Sequence, residues 1–150
     1  MPKIELDAAP VVQGTRYPAP FRGVCAKRRK FKLGDAVGLT QFGVNLLRLP
    51  AGEWSSQRHW HAHEDEFVYV LEGEVVLVTD DGETTLGAGD CAGFKAGETD
   101  AHCLQNRSAS EAVILEVGAR RPGGDEVVYP DIDMHLPPGG PFSRKDGTPY

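Results

Sequence analysis

The chain has no run of about 18 apolar residues, the length a membrane-spanning helix needs, and its start, Met1-Pro2-Lys3-Ile4-Glu5-Leu6-Asp7, lacks the apolar stretch of a secretory signal. Both absences lead us to expect a soluble, cytoplasmic protein. Cysteine is scarce and odd in number. Cys25, Cys91 and Cys103 stand far apart, which argues against a disulfide framework and fits a reducing compartment. A surplus of positive charge is also missing. With a net charge of −6 and a pI near 5.3, the chain is a poor match for nucleic acid or an anionic membrane, because such partners are held by clustered Lys and Arg. The one basic cluster, Lys27-Arg28-Arg29-Lys30 with Lys32, reads as a solvated face. There is no internal repeat, and no segment from 44 to 118 carries a sustained helical period.

What is present points to β-structure. The 150 residues and 16.3 kDa suit one domain with a genuine core, and Gly 18 with Pro 11 suits many short strands joined by turns. Extended, β-branched or alternating segments are predicted at 44–49, 56–61, 67–71, 74–79, 84–86, 91–94, 102–106 and 112–117. Asp80-Asp81-Gly82-Glu83 is a hairpin signal, since a primed turn needs positive φ at its centre. Turns every 8 to 12 residues imply an all-β sandwich or small barrel. Residues 1–43 read as an irregular lead-in packed on the barrel, with room for one edge strand, and 119–150 as a Pro/Gly-rich tail with a short strand at 127–129. His135 in that tail reads as a surface histidine without partners.

The chemistry concentrates in His59-Trp60-His61-Ala62-His63-Glu64-Asp65-Glu66, which holds three of the five histidines beside three carboxylates. On an extended strand His59 and His61 share a face about 7 Å apart, and a later carboxylate can close on the same ion. Imidazole with carboxylate is a common ligand set for first-row transition metals. His63 and the neighbouring Glu64 and Asp65 compete for those roles.

The longer pattern is His-x-His-x(4)-Glu-x(6)-Gly ending at Gly73, with Gly52 upstream. It resembles the first motif of the cupin superfamily, Gly-x(5)-His-x-His-x(3,4)-Glu-x(6)-Gly, with one extra residue between Gly52 and His59. Gly89, Gly97, His102 and Asn106 follow in the order of the second motif, Gly-x(5)-Pro-x-Gly-x(2)-His-x(3)-Asn. Lys95 stands where that motif has proline, and four residues rather than two separate Gly97 from His102. The resemblance covers roughly residues 44 to 118. It implies a double-stranded β-helix, the jelly-roll cupin barrel, with extended N- and C-terminal segments.

It further implies that His59, His61, Glu66 and His102 hold one divalent transition metal ion per subunit inside the barrel: iron, manganese, zinc or nickel. Glu66 is preferred over Glu64 because its spacings to His61 and Gly73 fit the motif, which requires a turn over 62–65 and leaves His63 exposed there. Cys103 faces away from His102 and reads as a small buried hydrophobe. Trp54, Gln57, Arg48, Trp60 and Tyr69 are candidates for substrate contact, with parity sending Trp60 and Tyr69 outward, and no catalytic acid or base is singled out. The implied function is a metal-dependent enzyme acting on a small oxygenated or anionic metabolite, of dioxygenase, isomerase or lyase type. The alternative is a non-catalytic small-molecule or metal-binding sensor. If Glu66 faces the lumen, Phe67, Tyr69 and Leu71 face outward, so that the tail or a second subunit must cover them; cupins commonly pair, and a homodimer is expected.

Overall fold

Alternating burial along the strands organises the molecule. In the computed structural model, which describes residues 3–150, the N-terminal Met1 and Pro2 of the lead-in lie outside the described residues. The described strands are β1 (Val11–Gln13), β2 (Arg29–Lys32), β3 (Phe42–Leu49), β4 (Trp60–His61), β5 (Glu66–Glu72), β6 (Glu74–Thr79), β7 (Gly82–Gly87), β8 (Cys91–Phe94), β9 (Cys103–Gln105), β10 (Ala112–Ala119), β11 (Val127–Tyr129) and β12 (Met134–Leu136). They form three antiparallel sheets in the orders β1-β2-β3-β10-β5-β8, β7-β6-β9 and β12-β11-β4. This is the all-β cupin barrel that the two motifs imply.

Leu47 and Leu49 of β3, Val68 and Val70 of β5, Val75 of β6, Leu104 of β9 and Ile114 of β10 form one apolar cluster. A second cluster joins Tyr17 and Cys25 of the lead-in to Val127, Tyr129 and Met134 of the tail. On β5 the alternation is strict: Val68 and Val70 are buried, while Phe67, Tyr69 and Leu71 remain 40%, 37% and 43% exposed. The tail therefore covers the lead-in side and leaves the outer face of β5 bare.

Three segments differ from expectation. The lead-in supplies two strands, β1 and β2, which extend the main sheet beyond β3. The Arg29-Lys30-Phe31-Lys32 segment conceals this, because long cationic stems cover a sheet face as an aliphatic residue would. The predicted strand at 56–61 shrinks to β4, since its earlier residues cross the barrel mouth and pair only through the isolated bridges Trp54↔Gln105 and His59↔His102. The tail folds back as β11 and β12 against β4, and His135 in β12 has a partner after all, with Nε2 2.7 Å from Glu126 Oε1.

The turn between β5 and β6 is set by Gly73, whose φ is 79°. A Cβ there would sit 2.9 Å from the Glu111 carbonyl oxygen and 3.0 Å from Ala112 Cα. Backbone on both sides leaves nothing flexible to yield. Gly73→Ala is expected to lower unfolding free energy by about 1–3 kcal/mol through the left-handed backbone alone, with the steric contact adding to it. Chemical denaturation measures the loss, and an unchanged midpoint would contradict this account of the turn.

Candidate metal centre

Three imidazoles converge on one carboxylate. His59 Nε2 lies 3.4 Å from Glu66 Oε2, His61 Nε2 lies 3.4 Å from Glu66 Oε1, and His102 Nε2 lies 2.8 Å from Glu66 Oε2. The four residues come from different parts of the fold. Glu66 opens β5, His61 belongs to β4, and His59 and His102 face each other through backbone bonds of 3.1 and 2.9 Å just before β4 and β9. The turn over 62–65 supplies the change of parity that Glu66 needs, and His63 is exposed in it. Donor atoms of His59, His61 and Glu66 lie within 4.8 Å of one another, while His102 stands just outside that tight set and joins it through Glu66. The longer gap before His102 is absorbed in the loop, and its ring still turns inward.

Two of the three imidazoles are held by a partner on Nδ1. His59 Nδ1 lies 2.9 Å from the Gln57 carbonyl oxygen, which can only accept, so Nδ1 donates. His61 Nδ1 lies 2.5 Å from Asp125 Oδ2. Such a carboxylate on the far nitrogen fixes ring orientation and raises ligand basicity in metal sites. His102 is stacked on Phe94 at 3.5 Å between ring centroids and 1° between planes, and its Nδ1 is buried without a partner. Three imidazoles, one carboxylate and no thiolate fit a divalent transition ion with open positions better than a closed structural zinc. Cys103 is buried on the other side of the strand, and burial pushes its thiol up to about 11, far from a thiolate ligand.

The charges are strongly coupled. Burial opposes a proton on His61, but the Glu66 and Asp125 carboxylates outweigh it and raise its pKa to about 9. Burial likewise opposes the charge on Glu66, yet the positive field of His59 and hydrogen bonds from His102, His59 and His61 hold its carboxyl well below the usual range. Burial dominates at His102 and lowers its pKa.

The site opens into a lumen cavity of about 340 Å³, also lined by Tyr17, Arg28, Lys30, Asn45, Glu64, Glu116 and Arg120. This corrects two expectations. None of Trp54, Gln57, Arg48, Trp60 and Tyr69 lines that cavity: Arg48 pairs with Glu111 at 2.9 Å, Gln57 donates to the Phe21 carbonyl, and Trp54 packs against the second apolar cluster. Trp60 instead walls a smaller cavity of about 180 Å³ on the opposite flank of His61 and His102, so it is not wholly outward. The basic run is not simply a solvated face either, because alternation turns Arg28 and Lys30 to the lumen while Arg29 lies 5.6 Å from the Phe31 ring. Sequence reasoning missed Asp125, Glu116, Arg120 and Tyr17. Only the acidic pair before the apolar 127–129 segment could have signalled Asp125.

Residues 45–118 match the family model described as the cupin domain. No curated protein matches the sequence. Among solved structures, a sugar phosphate isomerase of the cupin superfamily from Silicibacter pomeroyi is 44% identical, with 99% of this chain and 96% of that one covered and a TM-score of 0.91. A protein assigned by inference as a sugar phosphate isomerase, from Acidithiobacillus ferrooxidans, is 34% identical over 79% of this chain and 75% of its own, with a TM-score of 0.72. A protein from Thermus thermophilus is 30% identical over 81% of this chain and all of its own, with a TM-score of 0.59.

Metal-free protein offers a direct check on the electrostatics. Because the folded pKa of His61 lies above its ordinary value of 6.5, its contribution to stability is complete below pH 6.5 and is lost as pH rises through about 9. NMR titration of metal-free protein is expected to show His61 protonated at neutral pH. Asp125→Asn should bring its midpoint down and flatten the alkaline fall in stability. A midpoint unchanged by that substitution would mean that Asp125 does not hold the ring.

Proposed function

The chain belongs to the cupin domain family, and from that premise we propose that it is a metal-dependent isomerase of sugar phosphates. The observation that carries the reading is the convergence of His59, His61 and His102 on Glu66 at the wall of a lumen cavity that charged side chains also line. The substrate class is suggested by the 44% identical protein from Silicibacter pomeroyi, which is named as a sugar phosphate isomerase.

His59, His61, Glu66 and His102 would hold one divalent ion per subunit, drawn from iron, manganese, zinc and nickel. Bound there, such an ion supplies Lewis-acid polarisation of a carbonyl or hydroxyl oxygen. The chain's own residues supply the rest. Asp125 and the Gln57 carbonyl keep the rings of His61 and His59 in one orientation, and Phe94 fixes the plane of His102. Interconverting an aldose and a ketose moves one proton between adjacent carbons and one between their oxygens, with no net oxidation. Glu64 and Glu116 are lumen carboxylates outside the ligand set, so either can take a proton and return it. Burial pushes the Tyr17 phenol up to about 12, which keeps it a neutral donor at the cavity wall.

The test pairs metal content with turnover. Purified protein should contain about one divalent ion per subunit and interconvert aldose and ketose phosphates in a coupled assay. His61→Ala should lose most of both, since it removes one of four ligands, while His63→Ala should keep both. Stoichiometric metal without turnover across a panel of three- to six-carbon sugar phosphates would sink the enzymatic reading and leave a binding protein. Metal lost from His63→Ala instead would show that the ligand register is wrong.

The same reading includes a homodimer. Phe67, Tyr69 and Leu71 stand bare on the outer sheet face beside Cys91 of β8, and a two-fold pair would bury this face against its own copy. Light scattering should give about 33 kDa, twice the 16.3 kDa subunit, and Tyr69→Glu should shift it toward the monomer. A 16 kDa species in the unaltered protein, about the subunit mass at micromolar concentration, would refute the pairing.

A further inference from the structure

We propose that the β2 side of the lumen is a subsite for a terminal phosphate, formed by Arg28, Lys30 and Arg120 with Arg16, Lys32 and Asn45. This deepens the reading above and rests on it for the identity of the full substrate. The six residues line a cavity of about 270 Å³ in which five side chains are cationic and none is a carboxylate. In a chain of net charge −6, that is a marked local inversion of sign.

The cations are only partly neutralised by neighbours. Lys30 Nζ lies 2.9 Å from Glu116, while Lys32 and Arg120 both turn to Asp35. Arg16 and Arg28 have no carboxylate partner among the described residues, and Arg28 spends one donor on the Gly14 carbonyl at 3.1 Å. Two carboxylates thus answer five cations. Leaving such charges together is unfavourable unless something anionic joins them, and guanidinium forks match phosphate oxygens in both charge and geometry.

Backbone register places this cluster relative to the metal ligands. Lys32 is opposite Asn45 on β3, Asn45 is opposite Glu116 on β10, and Glu116 is opposite Val68, two residues along the same face from Glu66. β2 and β5 are therefore three strand spacings of about 4.8 Å apart across the curved sheet. Arg28, Lys30, Asn45 and Arg120 line both this cavity and the 340 Å³ cavity that reaches the ligands, so one molecule can occupy the two. A phosphate at the β2 end would leave the sugar's oxygenated carbons facing His59, His61 and Glu66.

Two further details fit a phosphorylated sugar. A Cβ at Gly43 would meet Arg120 Nε at 3.2 Å and Nη2 at 3.3 Å, so the bare backbone of β3 makes the berth in which that guanidinium lies. Asn45 Oδ1 is buried without a hydrogen-bond partner, an acceptor in the wall common to both cavities. A hydroxyl between the phosphate and the reacting carbons would satisfy it.

Inorganic phosphate is the probe, added to the metal-loaded protein and followed by calorimetry and by the arginine Nε–H resonances. Phosphate should bind and move the Arg28 and Arg120 signals, and Arg28→Gln should weaken it at least about tenfold, the scale of one charge-assisted hydrogen bond. Arg16→Gln, at an exposed position where folding is not at stake, should weaken it in the same direction. His61→Ala should retain phosphate binding, because the subsite does not use the metal ligands. The proposal is overturned if phosphate moves these resonances no more than chloride does, if both arginine variants bind as the unaltered protein does, or if His61→Ala abolishes binding. Phosphate binding in a protein that turns over no sugar phosphate would uphold the subsite while refuting the isomerase, so the two failures separate.

Discussion

The carboxylate of Glu66 is where the three sheets meet. It stands at the head of β5 in the main sheet, His61 reaches it from β4 in the tail sheet, and His102 reaches it from the loop entering β9 in the third. His59 completes the ring from the bridge to His102. A buried carboxylate is costly unless its oxygens are engaged, so each sheet must arrive in register for the others to be tolerable there. The apolar cluster of Leu47, Val70, Val75 and Ile114 lies on the same inward face and supplies that register through packing. The polar site then sits beside an apolar frame with packing of its own.

That separation bears on how the site stays intact with and without an ion. Glu66 and Asp125 bring two carboxylates to His61, and in metal-free protein they favour a proton on its ring against the effect of burial. A divalent ion would take over the same electrostatic role. The proton and the metal are thus alternative partners for one set of anions, and binding one requires release of the other. Acid should disfavour the ion well before it threatens the apolar cluster around Leu47 and Ile114, which contains no titrating group.

Local pattern and the family resemblance made much of the fold and of the candidate site readable. His59, His61 and Glu66 fall within eight residues, and once the motif spacing selects Glu66 the alternation of a strand demands a turn over 62–65. Alternation also put Val68 and Val70 inside and Phe67, Tyr69 and Leu71 outside, as observed. Asp125 was invisible for the opposite reason. It meets His61 across 64 residues of sequence, from a tail whose short strand carries no sign of its partner, and pairing of β11 with β4 brings them together. Glu116 was hidden likewise, since which face of β10 is the lumen depends on its partners β3 and β5, and Arg120 follows just beyond the end of that strand. The choice of Trp54 and Gln57 as substrate contacts failed because that segment crosses the mouth as a loop, where strand parity does not apply.

Net charge and local charge exclude different partners. An excess of six negative charges repels a long polyanion, whose many phosphates must approach the whole surface, and this holds for nucleic acid or an anionic bilayer. A single phosphate monoester samples only what lies within about a Debye length, roughly 8 Å at physiological ionic strength. Inside the lumen that radius is filled by Arg28, Lys30 and Arg120, with low-dielectric walls that lessen screening. The acidic exterior and the proposed phosphate subsite are therefore compatible, and together they would favour small anions over large ones. A basic run that reads as a solvated face by composition becomes a candidate anion site once β2 turns alternate members inward, because a cleft lined by one sign of charge concentrates a field that a flat surface would disperse into bulk water.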